Sequence, residues 1–299
     1  MRINAQSMDI ALQEIPVPEA GAQEVLVKMY AFGVGIHDRY FIPSKATFPY
    51  TVGLEGTGII TQVGYAVKEF IAGDRVILNS SMLIKGGCWA QYTVVPSEML
   101  IHLPDSLTFE KGAALSVAGK TAMECVRTLD LKQGNTLFVA GASGAIGTLI
   151  IQLASNKGVR VIASASQKNH AYLQSLGAEI TVDYQDPNWK EVLLKAIPDG
   201  ADIALAIQPN IAQDSMDVVK DSGTVITVSG DSIATQRGIT VAQFDHLLSW
   251  QDALNDLISQ VVAGKIAVVV EQVYPFDQAL KALEKVETRH ARGKVVVSV

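Results

Sequence analysis

Cysteine is scarce in this chain: its 299 residues hold only Cys88 and Cys125. Neither sits in a CxxC or Cys/His spacing, which excludes a disulfide framework and a zinc ribbon and leaves two reduced thiols as the expectation. Long apolar runs are missing as well. No stretch reaches membrane-spanning length, and the opening MRINAQSMDIALQEIPVPEAG has neither the basic region nor the apolar run of a signal peptide. No membrane partner and a cytoplasmic residence are therefore expected. Positive charge is in deficit too, with 24 Lys and Arg against 30 Asp and Glu and a formal net charge of -6. No basic run or tail is present to contact phosphates, which excludes nucleic acid and anionic membrane surfaces and leaves a small molecule as the expected partner. Internal repeats and low-complexity tracts are also absent.

What the chain does have is apolar mass. With 48% hydrophobic and 18% charged residues it can bury one large core or two ordinary ones, and its length favours two domains. Its texture changes near residue 110. From 22 to about 104, short apolar runs are broken by glycine and proline (EVLVKMYAFGVG, GTGIITQVG, GDRVIL, AQYTVVPSEMLIHLP), the pattern of antiparallel strands in a sandwich or barrel. From about 135 to 230, strand and helix alternate: TLFVA, TLIIQLASNK, VRVIAS, KNHAYLQSLGA, EITVD, WKEVLLKAI, ADIALAI, a polar helix around Asp214 to Lys220, and TVITVSG. Short apolar runs between segments of helical period predict βαβ units on a parallel, doubly wound sheet. The final IAVVVEQVYPF and GKVVVSV, either side of the helix DQALKALEKVETRHA, return to strands and place the end of the chain in or beside the first domain.

Two stretches compete as a phosphate-binding loop. ALSVAGKT, residues 114 to 121, fits the relaxed ATP-binding pattern of a small residue, four others, then Gly119, Lys120 and Thr121. Such a loop needs a strand delivering a flexible glycine-rich turn whose amides wrap the phosphates. Here the preceding LTFEKGAALSVA reads as a polar turn entering a helix, and no strand ending in a magnesium-binding Asp stands out downstream. The second stretch is TLFVAGASGAIGTLIIQLA, residues 136 to 154. A β-branched and aromatic strand, Thr136 to Ala140, runs into Ala142-Ser143-Gly144-Ala145-Ile146-Gly147. A helix with apolar positions at Leu149, Ile150, Leu153 and Ala154 follows. That is the dinucleotide-binding arrangement in its AxGxxG form. Gly144 lets the backbone approach a pyrophosphate held at the helix N-terminus, and Gly147 lets the helix pack close to the sheet.

The end of the second strand reads out the cofactor. An acidic residue there accepts from the ribose hydroxyls of NAD, whereas this chain has VIASASQK. Ser164, Ala165 and Ser166 with Lys168 beyond them supply hydroxyls and a cation for a 2′-phosphate, so NADPH is expected in preference to NADH. The bland alternative makes Lys168 a solvated residue in the first turn of the next helix.

These motifs, in this order, resemble the zinc-independent quinone oxidoreductase branch of the medium-chain dehydrogenase/reductase superfamily. VGLEGTGIITQVGYAVKEFIAGDRV is similar to the family's Gly-x-Glu β segment, GGCWAQYTVVPSEMLIHLP to its next strand pair, AGASGAIG to its cofactor loop, and FDQALKALEKVETRHARGKVVV to its closing helix and strand. The resemblance implies an α/β fold: a GroES-like β domain from residues 1–110 with 266–299, and an inserted Rossmann NADP(H)-binding domain from 111–265. It further implies NADPH-dependent reduction of quinones, enones or alkenals by a homodimer. By position, Thr121 would lie near the nicotinamide. Ser143, Gly144, Ala145, Ile146 and Gly147 would form the cofactor loop. Ser164, Ser166, Lys168 and Tyr184 would lie on the 2′-phosphate side, and Ser229 and Gly230 near the cofactor at the end of a central strand.

Departures from the pattern matter as much. Zinc-dependent relatives carry a Gly-His-Glu run and a four-cysteine lobe. This chain has Gly53-Leu54-Glu55 and no lobe, so no metal site is expected. Its amino terminus is shorter than usual, which leaves the first strand in question. Gly35 in GVGIHD stands where many quinone reductases have Asn, and ADIALAIQPN lacks the usual Asp-x-x-Gly ending. Hydride transfer to a conjugated carbonyl needs a donor for the oxygen that gains charge. Tyr40 matches a family position for an aromatic hydroxyl lining the substrate site and is the first candidate, with His37 second; the bland alternative is a half-buried packing residue. Asp38 is expected to fix the loop. An NADPH-dependent reductase is the main reading, and a catalytically inactive NADPH-binding sensor or structural protein is the alternative.

Overall fold

A computed structural model of the chain describes residues 1–3, 9–243 and 248–299. They form two compact units, Met1–Ala118 with Val268–Val299, and Gly119–Ala267. The first unit contains β1 (Arg2–Ile3), β2 (Ile10–Ala11), β3 (Glu24–Val34), β4 (Tyr50–Thr51), β5 (Glu55–Val63), β6 (Arg75–Asn79), β7 (Tyr92–Pro96), β8 (Leu100–His102) and the short helix α1 (Phe109–Ala113). The amino terminus keeps a strand: β1 pairs antiparallel with both β2 and β4. Helix α2 (Ser116–Thr128) starts in this unit, where the Ser116 hydroxyl donates to the Leu78 carbonyl at 3.2 Å.

The second unit is βαβ throughout: β9 (Thr136–Ala140), α3 (Ala145–Ser155), β10 (Arg160–Ser164), α4 (His170–Ser175), β11 (Ile180–Val182), α5 (Trp189–Ala196), β12 (Ala201–Ala206), α6 (Ala212–Asp217), β13 (Val219–Thr227), β14 (Thr240–Gln243) and α7 (Trp250–Val262). All its strand pairs are parallel, in the order β11-β10-β9-β12-β13-β14. The order reverses between β9 and β12, which opens a crevice at the C-terminal ends of those strands, the place where doubly wound sheets bind ligands. The inner residues of β9, Leu137, Phe138 and Val139, are buried on both faces, as a central parallel strand covered by helices requires.

The chain then returns to the first unit with β15 (Val270–Pro275), α8 (Ala279–Glu287) and β16 (Lys294–Ser298). Strand β16 pairs antiparallel with β3 and parallel with β15, completing a seven-stranded sheet in the order β15-β16-β3-β5-β6-β8, with β7 also on β3. Its core centres on Phe32, which stacks on Trp89 at 5.1 Å and meets Phe276 edge-on at 6.2 Å.

Candidate active site

The loop after β9 turns sharply because Gly141 takes φ +83°, a conformation that L side chains rarely adopt. Two glycines beyond it have opposite surroundings. At Gly147 a Cβ would lie 2.5 Å from the Ala142 carbonyl oxygen, so the missing side chain lets α3 pack onto the loop. At Gly144 a Cβ would meet only the Gly141 oxygen, at 3.7 Å, so the space over this residue is open. Gly144 is the N-cap of α3 and no side chain caps the helix. The first backbone bond of the helix runs from the Thr148 N–H to the Gly144 oxygen, at 3.0 Å. The amides of Ala145, Ile146 and Gly147 precede that bond and are the helix's spare donors, with its positive dipole end behind them. Open backbone in front of uncapped amides fits a pyrophosphate.

The turn after β10 is held by a network the sequence did not disclose. Ser164 ends β10, and its carbonyl accepts from the Ala142 N–H at 3.2 Å, which joins the two loops. Beyond it, the buried Asn169 folds back on Ser166, donating from its backbone N–H to the Ser166 carbonyl at 2.9 Å and from Nδ2 to the hydroxyl at 3.2 Å. Lys168 and Tyr184 are exposed. Asp183, at the end of β11, accepts from the Gln167 N–H at 3.2 Å and from the Gln185 N–H at 3.0 Å. The stretch VIASASQK carries no acid, yet the fold brings one to its backbone. EITVD contained that signal, an acid at the end of the third strand.

Toward the other half of the sheet, Gln208 follows β12 and its Cγ lies 3.0 Å from the position a Gly141 Cβ would take, so its side chain lies against the Gly141 backbone at the crevice. Ser229 and Gly230 follow β13 and are exposed. The predicted loop residues, Ser164, Ser166, Lys168, Tyr184, Ser229 and Gly230 thus share the C-terminal edge of one sheet. Thr121 lies on α2, outside the sheet, and is half-buried. The P-loop lookalike is helical from Ser116 onward, and Lys120 pairs with the buried Glu124 at 2.7 Å; no strand-fed turn is present there to wrap a phosphate.

His37 and Tyr40 belong to the first unit, on the 3₁₀ turn Ile36–Arg39 and its C-cap. Tyr40 is 61% exposed and lines an open pocket of about 410 Å³ with Ile36, Arg39, Glu287 and Arg289. Arg39 pairs there with Glu287 at 3.1 Å. His37 is exposed as a residue, but its ring lies 4.7 Å from that of Phe41, and partial burial plus the charges of Lys294 and Arg289 hold its pKa below the usual histidine value. The imidazole is therefore neutral near pH 7 and can offer an N–H but not a spare proton. Gly35 has extended backbone, and a Cβ on it would make ordinary contacts with Asp38 Oδ2 at 3.7 Å and Lys294 Nζ at 3.8 Å. Room for a side chain exists at the position where the amide is missing.

Beneath the turn lies a buried charged cluster that pattern reading did not assemble. Asp38 Oδ2 accepts from the Gly35 N–H at 2.6 Å and Oδ1 from the Leu54 N–H at 2.9 Å, which ties the start of the turn to the residue just before β5 through one carboxylate. Burial pushes its pKa up to about 7, with the Glu55 charge adding to the rise, while Lys294 and the two amides pull the other way. Glu55 pairs with Lys294, and its Oε2 accepts from the Val117 N–H at 2.6 Å. Both cysteines are buried and free, and burial raises each thiol, Cys125 to about 12. Among the described residues no three His, Cys, Asp or Glu side chains form a metal-holding group.

Two family profiles match the chain: alcohol dehydrogenase GroES-like domain over residues 21–105 and zinc-binding dehydrogenase over residues 176–297. An NADPH-dependent alkenal/one oxidoreductase of Arabidopsis thaliana chloroplasts is 30% identical over 95% of this chain and 74% of its own length. The 2-methylene-furan-3-one reductase of Solanum lycopersicum is 29% identical over 97% of this chain and 76% of its own. Among solved structures, the quinone oxidoreductase from Coxiella burnetii superposes with a TM-score of 0.89 at 26% identity, covering 100% of this chain and 97% of that one. A GroES-like domain joined to a 3-2-1-4-5-6 parallel sheet, with likeness along nearly the whole chain to enone reductases and quinone oxidoreductases, makes this protein a member of the medium-chain dehydrogenase/reductase superfamily.

Proposed function

We propose that the chain is an NADPH-dependent, zinc-independent oxidoreductase that delivers hydride to a quinone or to the conjugated system of an enone or alkenal. The observation that carries this reading is the uncapped N-terminus of α3 behind the open backbone of Gly144. When bound, NADPH supplies the hydride. The amides of Ala145, Ile146 and Gly147 hold its diphosphate by charge-assisted hydrogen bonds, and Ser166, Lys168 and Tyr184 meet its 2′-phosphate. Tyr40, with His37 second, donates to the acceptor oxygen as charge grows there. Quinones make a smaller demand on these donors, since the reduced oxygen can take its proton from water. The relatives named above, an alkenal/one oxidoreductase and a furanone reductase, support acceptors of the activated alkene class. The homodimer and cytoplasmic residence expected from the sequence belong to this proposal, and sedimentation equilibrium and cell fractionation test them in turn.

Stopped-flow oxidation of bound NADPH across a panel of quinones and enones is the decisive experiment. Rapid oxidation by at least one acceptor is expected. Tight binding with no oxidation by any of them would replace the enzyme reading with that of an inactive sensor. A parallel NADH titration tests the cofactor, and equal affinity for NADH would overturn the preference for NADPH.

A further inference from the structure

Asp183 occupies an ambiguous place in a dinucleotide site. An acid beside the adenosine ribose ordinarily accepts from its hydroxyls and disfavours a 2′-phosphate, which would oppose the NADPH reading on which this inference rests. Its partners argue for a different task. Oδ2 receives the Gln167 N–H at 3.2 Å and Oδ1 the Gln185 N–H at 3.0 Å, so each oxygen already serves a backbone amide. Gln167 sits between Ser166 and Lys168, the two residues offered to the phosphate. The same turn is tied at its base by the Ala165 N–H to the Val182 carbonyl at 3.1 Å and by His170 Nε2 to the Ala165 carbonyl at 3.0 Å. Asn169 completes it from inside, filling a lone pair of the Ser166 hydroxyl and leaving that hydroxyl's own proton to be donated outward.

We propose that Asp183 is a positioning residue for cofactor selection: its carboxylate ties the Gln167 amide to the end of β11 and so holds Ser166 and Lys168 in the geometry that receives the 2′-phosphate. An acid whose oxygens are engaged this way favours NADPH through the turn it orders. A ribose-binding acid would favour NADH through direct contact.

Two variants separate these roles. Asp183→Asn keeps a single oxygen, which serves the Gln167 amide only by giving up that of Gln185, whereas Asp183→Ala keeps none. Dissociation constants for NADPH and NADH, read by cofactor fluorescence, should be within about two-fold of wild type in Asp183→Asn. In Asp183→Ala the NADPH constant should rise by roughly ten-fold while the NADH constant moves less than about two-fold, the loss of one charge-assisted hydrogen bond. Hydrogen exchange without cofactor gives a second readout: the Gln167 amide should lose protection in Asp183→Ala and keep it in Asp183→Asn. Unchanged NADPH affinity in Asp183→Ala, an equal or larger loss of NADH affinity, or unchanged Gln167 protection would overturn the proposal. If the wild type binds neither dinucleotide, the cofactor reading fails and the selective role falls with it. The exchange data then still report whether the tie itself exists.

Discussion

Gly144 and Gly147 lie three residues apart in one loop, yet their surroundings predict opposite failures. Gly144→Val places its side chain in open space, on extended backbone with φ -77° and ψ 177° that any residue adopts. Stiffening the unfolded chain stabilises by about 0.4–1 kcal/mol, and losing a favourable N-cap residue costs a similar amount, so the net change stays near zero. The added methyls stand where a diphosphate must approach. Losing even one charged hydrogen bond of about 1.5–3 kcal/mol weakens NADPH binding by about ten-fold or more. Gly147→Ala does the reverse. Its Cβ would sit 2.5 Å from the Ala142 oxygen and 2.7 Å from that residue's carbonyl carbon, both backbone atoms that cannot swing away. Overpacking of this kind costs about 1–3 kcal/mol, which for a chain unfolding in units of this size lowers the melting temperature by roughly 2–10 °C. Thermal melts without cofactor and NADPH titrations by fluorescence read the two effects separately. Wild-type affinity in Gly144→Val, or wild-type melting in Gly147→Ala, would refute the reasoning.

Three further outcomes are expected. Because the folded pKa of Asp38 is raised to about 7 from an ordinary carboxylate value, the fold binds more protons than the unfolded chain between roughly pH 4 and pH 7, and stability falls as pH rises through that window. Urea midpoints at pH 5 and pH 8 should therefore differ by more in wild type than in Asp38→Asn, and equal differences would remove Asp38 as the cause. Lys294→Met leaves the buried Glu55 without its partner, which should cost about 3–5 kcal/mol in urea unfolding and be largely recovered in Lys294→Met with Glu55→Gln. Failure of the second change to rescue would mean that Lys294 acts through packing alone. Tyr40→Phe should lower enone turnover by about ten-fold or more while changing quinone reduction little, because only the enone product needs a positioned donor. Rates that fall equally for both acceptors would refute its role as a donor to the enone product, and rates unchanged for both would remove Tyr40 from the site.

How far the site was legible depended on how local its signals were. The glycine loop could be read because strand, turn and helix follow one another within residues 136 to 154, and each imposes its own period on the sequence. The lookalike at 114 to 121 could be set aside for the same reason, since LTFEKGAALSVA enters a helix where a P-loop needs a strand. Asp183 escaped notice because it is remote from Gln167 in the chain. Only the parallel register of β10 on β11, with Ser164 opposite Val182, brings the carboxylate to that amide. The placement of His37 and Tyr40 on a turn was visible in GVGIHDRYF, but the depressed basicity of His37 was not, as it depends first on burial in the fold and then on Lys294 and Arg289 from the far end of the chain.

Sequence alone determined the class of each half of this molecule and the strand, glycine turn and helix of residues 136 to 154, because residue periodicity and residue identity act over a few neighbours. Tertiary structure alone decided which charges meet. The pairing of Glu55 with Lys294 requires β16 to lie beside β3 in the same sheet as β5, and the tie from Asp183 to Gln167 requires two strands in one register. Coulomb and hydrogen-bond energies depend on distance in space, and the chain brings these partners close only when its sheets are complete.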